Sequence, residues 1–111
     1  MEKIIFKVQG SAEDPYIVEF CRDGGLLGAH CTCPAGENGQ ACKHRIRILK
    51  GNAEGTVDCN QADVAIVGQW FSGSKIATAL TAIENEEVVL EKTKKNLASL
   101  KKELGRLFET A

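Results

Sequence analysis

Four residues able to hold a metal ion lie within one short stretch of the chain. Cys31-Thr32-Cys33 is followed, after an eight-residue spacer, by Cys42-Lys43-His44, so that together they read C-x-C-x8-C-x-H. Three thiols and one imidazole make the Cys3His set that closes a tetrahedral zinc site. The bland alternative is accident: buried free cysteines and a surface histidine. Both pairs and the spacer fit at once, and the expectation is one structural Zn2+ per chain, held by Cys31, Cys33, Cys42 and His44. Four protein ligands leave no position for a water, which disfavours hydrolytic zinc chemistry. A thiol nucleophile could be drawn as Cys42 with His44, or Cys31 with His30. Such enzymes take their base from a distant part of the fold, set in a pocket, and two adjacent C-x-C and C-x-H pairs supply that poorly. The redox spacing C-x-x-C is absent, as are H-E-x-x-H, G-x-S-x-G and a glycine-rich phosphate loop. The reading is of a protein that is not an enzyme. Cys21, Cys59 and His30 are read as bystanders, since a lone cysteine is more often a small buried hydrophobe than a ligand.

The elements that must present these ligands are legible around them. Residues i and i+2 of a strand point to one face, so a strand over Leu26–Thr32 delivers Cys31 and Cys33 together. Two more strands precede it. Lys3–Gln9 alternates, with Ile4, Phe6 and Val8 on one face, and Tyr16–Cys21 puts Tyr16, Val18 and Phe20 on one face. Asp23-Gly24-Gly25 is a hairpin turn. Pro34, Gly36, Asn38 and Gly39 make a polar loop that turns the chain back. A short helix from about Ala41 to Lys50 then starts with Cys42 and His44 and stops at Gly51-Asn52. The outline is α+β: a small, three-stranded antiparallel sheet plus a short helix.

The stretch resembles a SWIM zinc finger, whose signature is C-x-C, a variable spacer, then C-x-H. The flanks resemble it as well: Tyr16-Ile17-Val18-Glu19-Phe20 before the first pair, Cys33-Pro34-Ala35-Gly36 after it, and Cys42-Lys43-His44-Arg45-Ile46 at the helix start. The resemblance implies a ββα unit with these four residues as zinc ligands, supporting protein contacts or nucleic-acid binding. It does not name one activity, because the family spans transposase-related proteins, helicases, ubiquitin-ligase components and recombination-factor complexes.

The second half reads differently. Residues 52–60 look like a polar connector between a finger domain over 1–51 and a helical hairpin over 61–111. Gln61–Phe71 is too apolar to be a solvated face, Ser72-Gly73-Ser74 breaks it, and a long helix runs from Ser74 to about Phe108, with a kink expected near Glu84-Asn85. Ile76, Ile83, Leu90, Leu97 and Leu104 recur every seven residues, with Leu100 and Leu107 beside the last two and mixed charges between, as on a coiled coil. A helix longer than its neighbour leaves leucines uncovered, which favours a homodimer through Leu90, Leu97, Leu100, Leu104 and Leu107, or a docking surface for a larger partner.

Charge bounds the partners. With 14 Lys and Arg against 15 Asp and Glu, the chain has no cationic coat of the kind that drives strong nucleic-acid binding. One local exception is the stripe Lys43, Arg47, Lys50, spaced i, i+4, i+7 on the finger helix, with no acid between Asn38 and Ala53. A protein partner is therefore the first expectation, and a nucleic-acid partner meeting that stripe the alternative. The hydrophobic fraction of 43% is ordinary for a globular protein. No apolar run reaches the roughly 20 residues of a membrane span, and the first residues lack a leader's apolar core. An odd cysteine count favours metal over disulfides, and a reducing, cytoplasmic location is expected.

Overall fold

A computed structural model describes residues 1–58 and 60–110. The element order is β1 (Glu2–Val8), β2 (Tyr16–Asp23), β3 (Leu26–Cys31), α1 (Pro34–Glu37), α2 (Lys43–Leu49), β4 (Thr56–Val57), α3 (Gln61–Phe71) and α4 (Lys75–Glu109). The strands form one antiparallel sheet in the order β3-β2-β1-β4. The chain divides into two compact units, Met1–Ala77 and Thr78–Ala111.

In the first unit the period-2 pattern does what it promised. Phe6 and Val8 of β1 and Val18 and Phe20 of β2 are buried, while Lys3, Ile5 and Lys7 face out. Phe6 pairs with Val18 and Ile4 with Phe20 across the strands, and the Phe6 and Phe20 rings meet edge-to-face at 5.8 Å, the arrangement that ring quadrupoles prefer. Gly24 (φ 57°) and Gly25 (φ 89°) both take left-handed backbone, which a tight two-residue hairpin matching the strand twist requires. The hairpin sets the β2–β3 register so that Val18 opposes Cys31. One slip of register would turn Cys31 to solvent.

Two features of the connections differ from the sequence reading. The spacer after Cys33 is not all loop: Pro34–Glu37 forms the helical turn α1, with Pro34 at a helix start, where a missing N–H costs nothing. The sheet has four strands rather than three, because Thr56 and Val57 of the 52–60 segment pair with Val8 and Lys7, and the Gln9 N–H donates to the Gly55 carbonyl at 2.9 Å. A two-residue strand has no alternation to read. The end of α2 was legible: the Gly51 N–H donates to the Ile48 carbonyl and the Asn52 N–H to the Arg47 carbonyl, a Schellman stop.

α3 starts on an Asn60 cap whose Oδ1 accepts the Ala62 N–H at 3.0 Å. It packs on α2, and its Val64 and Val67 join Ile48 and Leu49 in the same core as the sheet. α4 begins beside Ser74, whose Oγ accepts the Ala77 N–H at 3.1 Å. It continues to Glu109 with no break at Glu84-Asn85, and none of its residues is fully buried.

Candidate metal centre

Three elements converge on the four ligands. Cys31 is the last residue of β3, on the buried face beside Val18. Cys33 is the N-cap of α1, and its Sγ accepts the Gly36 N–H at 3.3 Å. Cys42 is the N-cap of α2, and its Sγ accepts the Arg45 N–H at 3.5 Å. His44 follows in the first turn of α2. Two of the three sulfurs thus stand where a Ser or Asp cap would, against freed N–H groups that favour a thiolate. The geometry depends on Gly36: a Cβ there would lie 2.2 Å from the Cys31 carbonyl oxygen, a distance no side chain tolerates.

All four residues are buried, and their donor atoms lie within 4.8 Å of one another. His44 turns Nδ1 toward Cys31 Sγ at 3.8 Å. Zinc bond lengths of about 2.3 Å to sulfur and 2.0 Å to nitrogen place tetrahedral donors roughly 3.5–3.8 Å apart. The donor set therefore fits a single structural zinc ion, with Cys31, Cys33, Cys42 and His44 as its ligands.

Electrostatics point the same way. Burial, with the neighbouring thiols adding to it, pushes Cys31 up to about 12, so this sulfur ionises readily only beside a cation. Burial also acts to raise Cys42, but hydrogen bonds from the Arg45 N–H and guanidinium, and then from Cys31 and Cys33, outweigh it and bring the thiol below its ordinary value. His44 is pulled down, first by burial and then by the charges of Lys43 and Arg47. A neutral imidazole is the form that binds metal. The His44 ring lies 5.3 Å from the Tyr16 ring, tilted by 44°, which restricts its orientation.

Arg45 is the site residue that sequence reasoning missed. Its Nε donates to Cys42 Sγ at 3.3 Å and its Nη1 to the Ala29 carbonyl at 3.0 Å, while Nη2 donates to the Gln40 carbonyl. One guanidinium therefore joins β3, the spacer and a ligand sulfur. The available signal was its position directly after the C-x-H pair, where an arginine's fork can reach back to the sulfur.

Residues 6–50 match the family model for the SWIM zinc finger. This segment is similar to SWIM zinc fingers, and its four ligands fall where their C-x-C and C-x-H signature puts them. No curated protein and no solved structure matches the chain. The matched span runs from within β1 to the end of α2, and so contains every ligand and every element that places one.

The other described residues singled out by sequence sit outside the metal centre. His30 is exposed, and Cys21 is half-buried on the outward face of the sheet, against Gly28. Cys59 lies outside the described residues. Lys43 and Arg47 are exposed on α2, and Lys50 is exposed at its C-cap. Leu90, Leu97, Leu100, Leu104 and Leu107 are exposed along α4, each at 51–63%. Among the described residues no helix is long and apolar enough to cross a membrane.

Proposed function

We propose that the protein is a non-enzymatic interaction module, an adaptor or regulator in which zinc shapes a surface that binds another macromolecule. The observation carrying this reading is the closed, buried ligand set: with four protein donors the metal's task is architectural, and the remaining resource is surface. A cleft of about 430 Å³ beside the ligands, walled by Tyr16, Pro34, Ala41 and Lys43 among others, offers a concave contact. The leucine line of α4 offers an apolar one, and we read it as pairing with a second copy of the chain. Zinc-bound thiols suit a reducing compartment, consistent with a cytoplasmic protein. The partner we favour is a protein, because the charge balance is near neutral.

Direct, sequence-tolerant DNA or RNA binding is the second reading. It rests on Lys43 and Arg47 standing exposed on α2 and Lys50 exposed at its C-cap. Binding to a fluorescent oligonucleotide at two salt concentrations separates the readings. Three phosphate contacts on a duplex would lose about 40-fold in affinity between 50 and 200 mM salt. Replacing all three with Glu would then abolish binding while the zinc content stays at one equivalent. No binding by the wild type at low salt leaves the protein partner, which affinity capture with mass spectrometry would identify.

A further inference from the structure

The charges of α4 are sorted along its length. Lys75 stands at one end of the helix and Glu103, Arg106 and Glu109 at the other; between them come first Glu84, Glu86, Glu87 and Glu91, with no Lys or Arg among them, and then Lys92, Lys94, Lys95, Lys101 and Lys102, with no acid among them, so that the first half is net acidic and the second net basic. The boundary falls between Glu91 and Lys92. All nine from Glu84 to Lys102 are exposed on a continuous helix. On the same helix Ile83, Leu90, Leu97 and Leu104 are each 50–54% exposed, a uniform apolar line of one-heptad spacing.

We propose that α4 pairs with a second copy of itself antiparallel, about a two-fold axis between Glu91 and Lys92. This rests on the self-association read above and adds its orientation. Three arguments select it. The first is overall: an antiparallel pair centred there lays the acidic half of each helix along the basic half of the other, whereas a parallel in-register pair lays like on like. The second concerns the seam. With Ile83, Leu90, Leu97 and Leu104 in one core row, the row three residues on contains Glu86, Thr93, Leu100 and Leu107. In a parallel pair Glu86 faces its own copy across the seam, two like charges in contact. The antiparallel pair separates the two Glu86 positions by about 16 Å along the axis at 1.5 Å per residue. It also sets Ile83 against Leu100 of the other copy. The third is at the flank. Parallel packing sets Glu87 against Ala82, Lys94 against Val89 and Lys101 against Asn96, none of them an ion pair. Antiparallel packing sets Glu87 beside Lys94 of the other copy, twice by symmetry.

The test uses the full-length, zinc-loaded protein with spin labels on introduced cysteines, in a background carrying Cys21→Ser and Cys59→Ser. Sedimentation first establishes the oligomeric state. Distances between labels in the two chains then give orientation, from Arg106→Cys and, separately, Lys92→Cys. Antiparallel pairing about this axis predicts about 44 Å along the helix between the two 106 positions, and near-level 92 positions. A parallel pair keeps both label pairs at similar short distances, set by helix axes about 10 Å apart. Short distances at both sites in a dimer overturn the orientation while leaving self-association in place. A wild-type protein that sediments as a monomer at high micromolar concentration overturns both.

Discussion

The two compact units obtain their structure by opposite means. In Met1–Ala77, Val18, Phe20 and Val67 are completely buried, and among the described residues three of the eleven buried apolar residues of the core are metal-ligand cysteines. In the second unit none of the described residues is buried, and the apolar line is half exposed. The first unit is specified by contacts between residues distant in sequence, gathered around one ion. The second is specified locally, by the backbone ladder of one helix, and isolated helices gain most of their stability from whatever covers their apolar face. The contrast is between an inward-facing cluster of ligands and an outward-facing line of leucines.

The largest effect expected is on the first unit alone. Zinc contributes roughly 10–16 kcal/mol of apparent binding free energy in finger peptides, and this becomes folding free energy where the apo site is unformed. Cys42→Ala removes a ligand sulfur and the cap of α2 together. It should abolish metal binding by elemental analysis and collapse the near-ultraviolet dichroism of Tyr16 and Trp70, both of which pack against the core. Full metal occupancy in a Cys33→Ala, Cys42→Ala double variant would remove the basis of the assigned site. The helical signal of α4 should survive the loss of zinc, because α4 contributes no ligand to the centre.

The reverse experiment addresses the second unit. Burying a leucine stabilises by roughly 1.5–3 kcal/mol. Leu97→Lys with Leu104→Lys removes two per chain and four per pair, or about 6–12 kcal/mol, comparable with an association cost estimated at about 4–15 kcal/mol. Light scattering should report a monomer that retains one zinc. A variant of unchanged mass would move the association surface off this line. Loss of zinc would show that the two units are coupled.

How far the sequence disclosed each unit follows from the same contrast. Helix α3 over Gln61–Phe71, the Asp23-Gly24-Gly25 hairpin and the stop of α2 at Gly51 were readable because each rests on local rules of period, turn and cap. The four ligands were readable because metal spacing is a chemical pattern repeated within one stretch. What escaped was non-local. The pairing of Thr56 with Val8 depends on a chain return that no local period marks. Gly36 is required by the approach of the Cys31 carbonyl, which becomes visible only once α1 is folded against the end of β3. Arg45 escaped because side-chain patterning assigns a charged residue to solvent, whereas its guanidinium is occupied by a sulfur and two carbonyls.

That arginine gives the smallest and most discriminating effect. Arg45 touches the metal centre only through Cys42 Sγ, and through the carbonyls of Ala29 and Gln40 that flank the ligand pairs. Groups that orient a metal ligand typically alter metal affinity by about 10–100-fold when removed. Arg45→Met keeps the stem that packs on the helix and loses the fork. It should bind cobalt with the same tetrahedral, sulfur-rich absorption as the wild type, yet release zinc to a chelator about 10–100-fold faster. Arg45→Lys restores the charge without the planar donors and should recover only part of the difference. Arg47→Met is the control: Arg47 is exposed and adds a positive charge near His44, but contacts no ligand sulfur. If Arg45→Met and Arg47→Met speed release equally, the effect is one of helix charge and the contact with Cys42 is incidental. If only Arg45→Met does, the first unit holds its metal through a bond network wider than its four ligands.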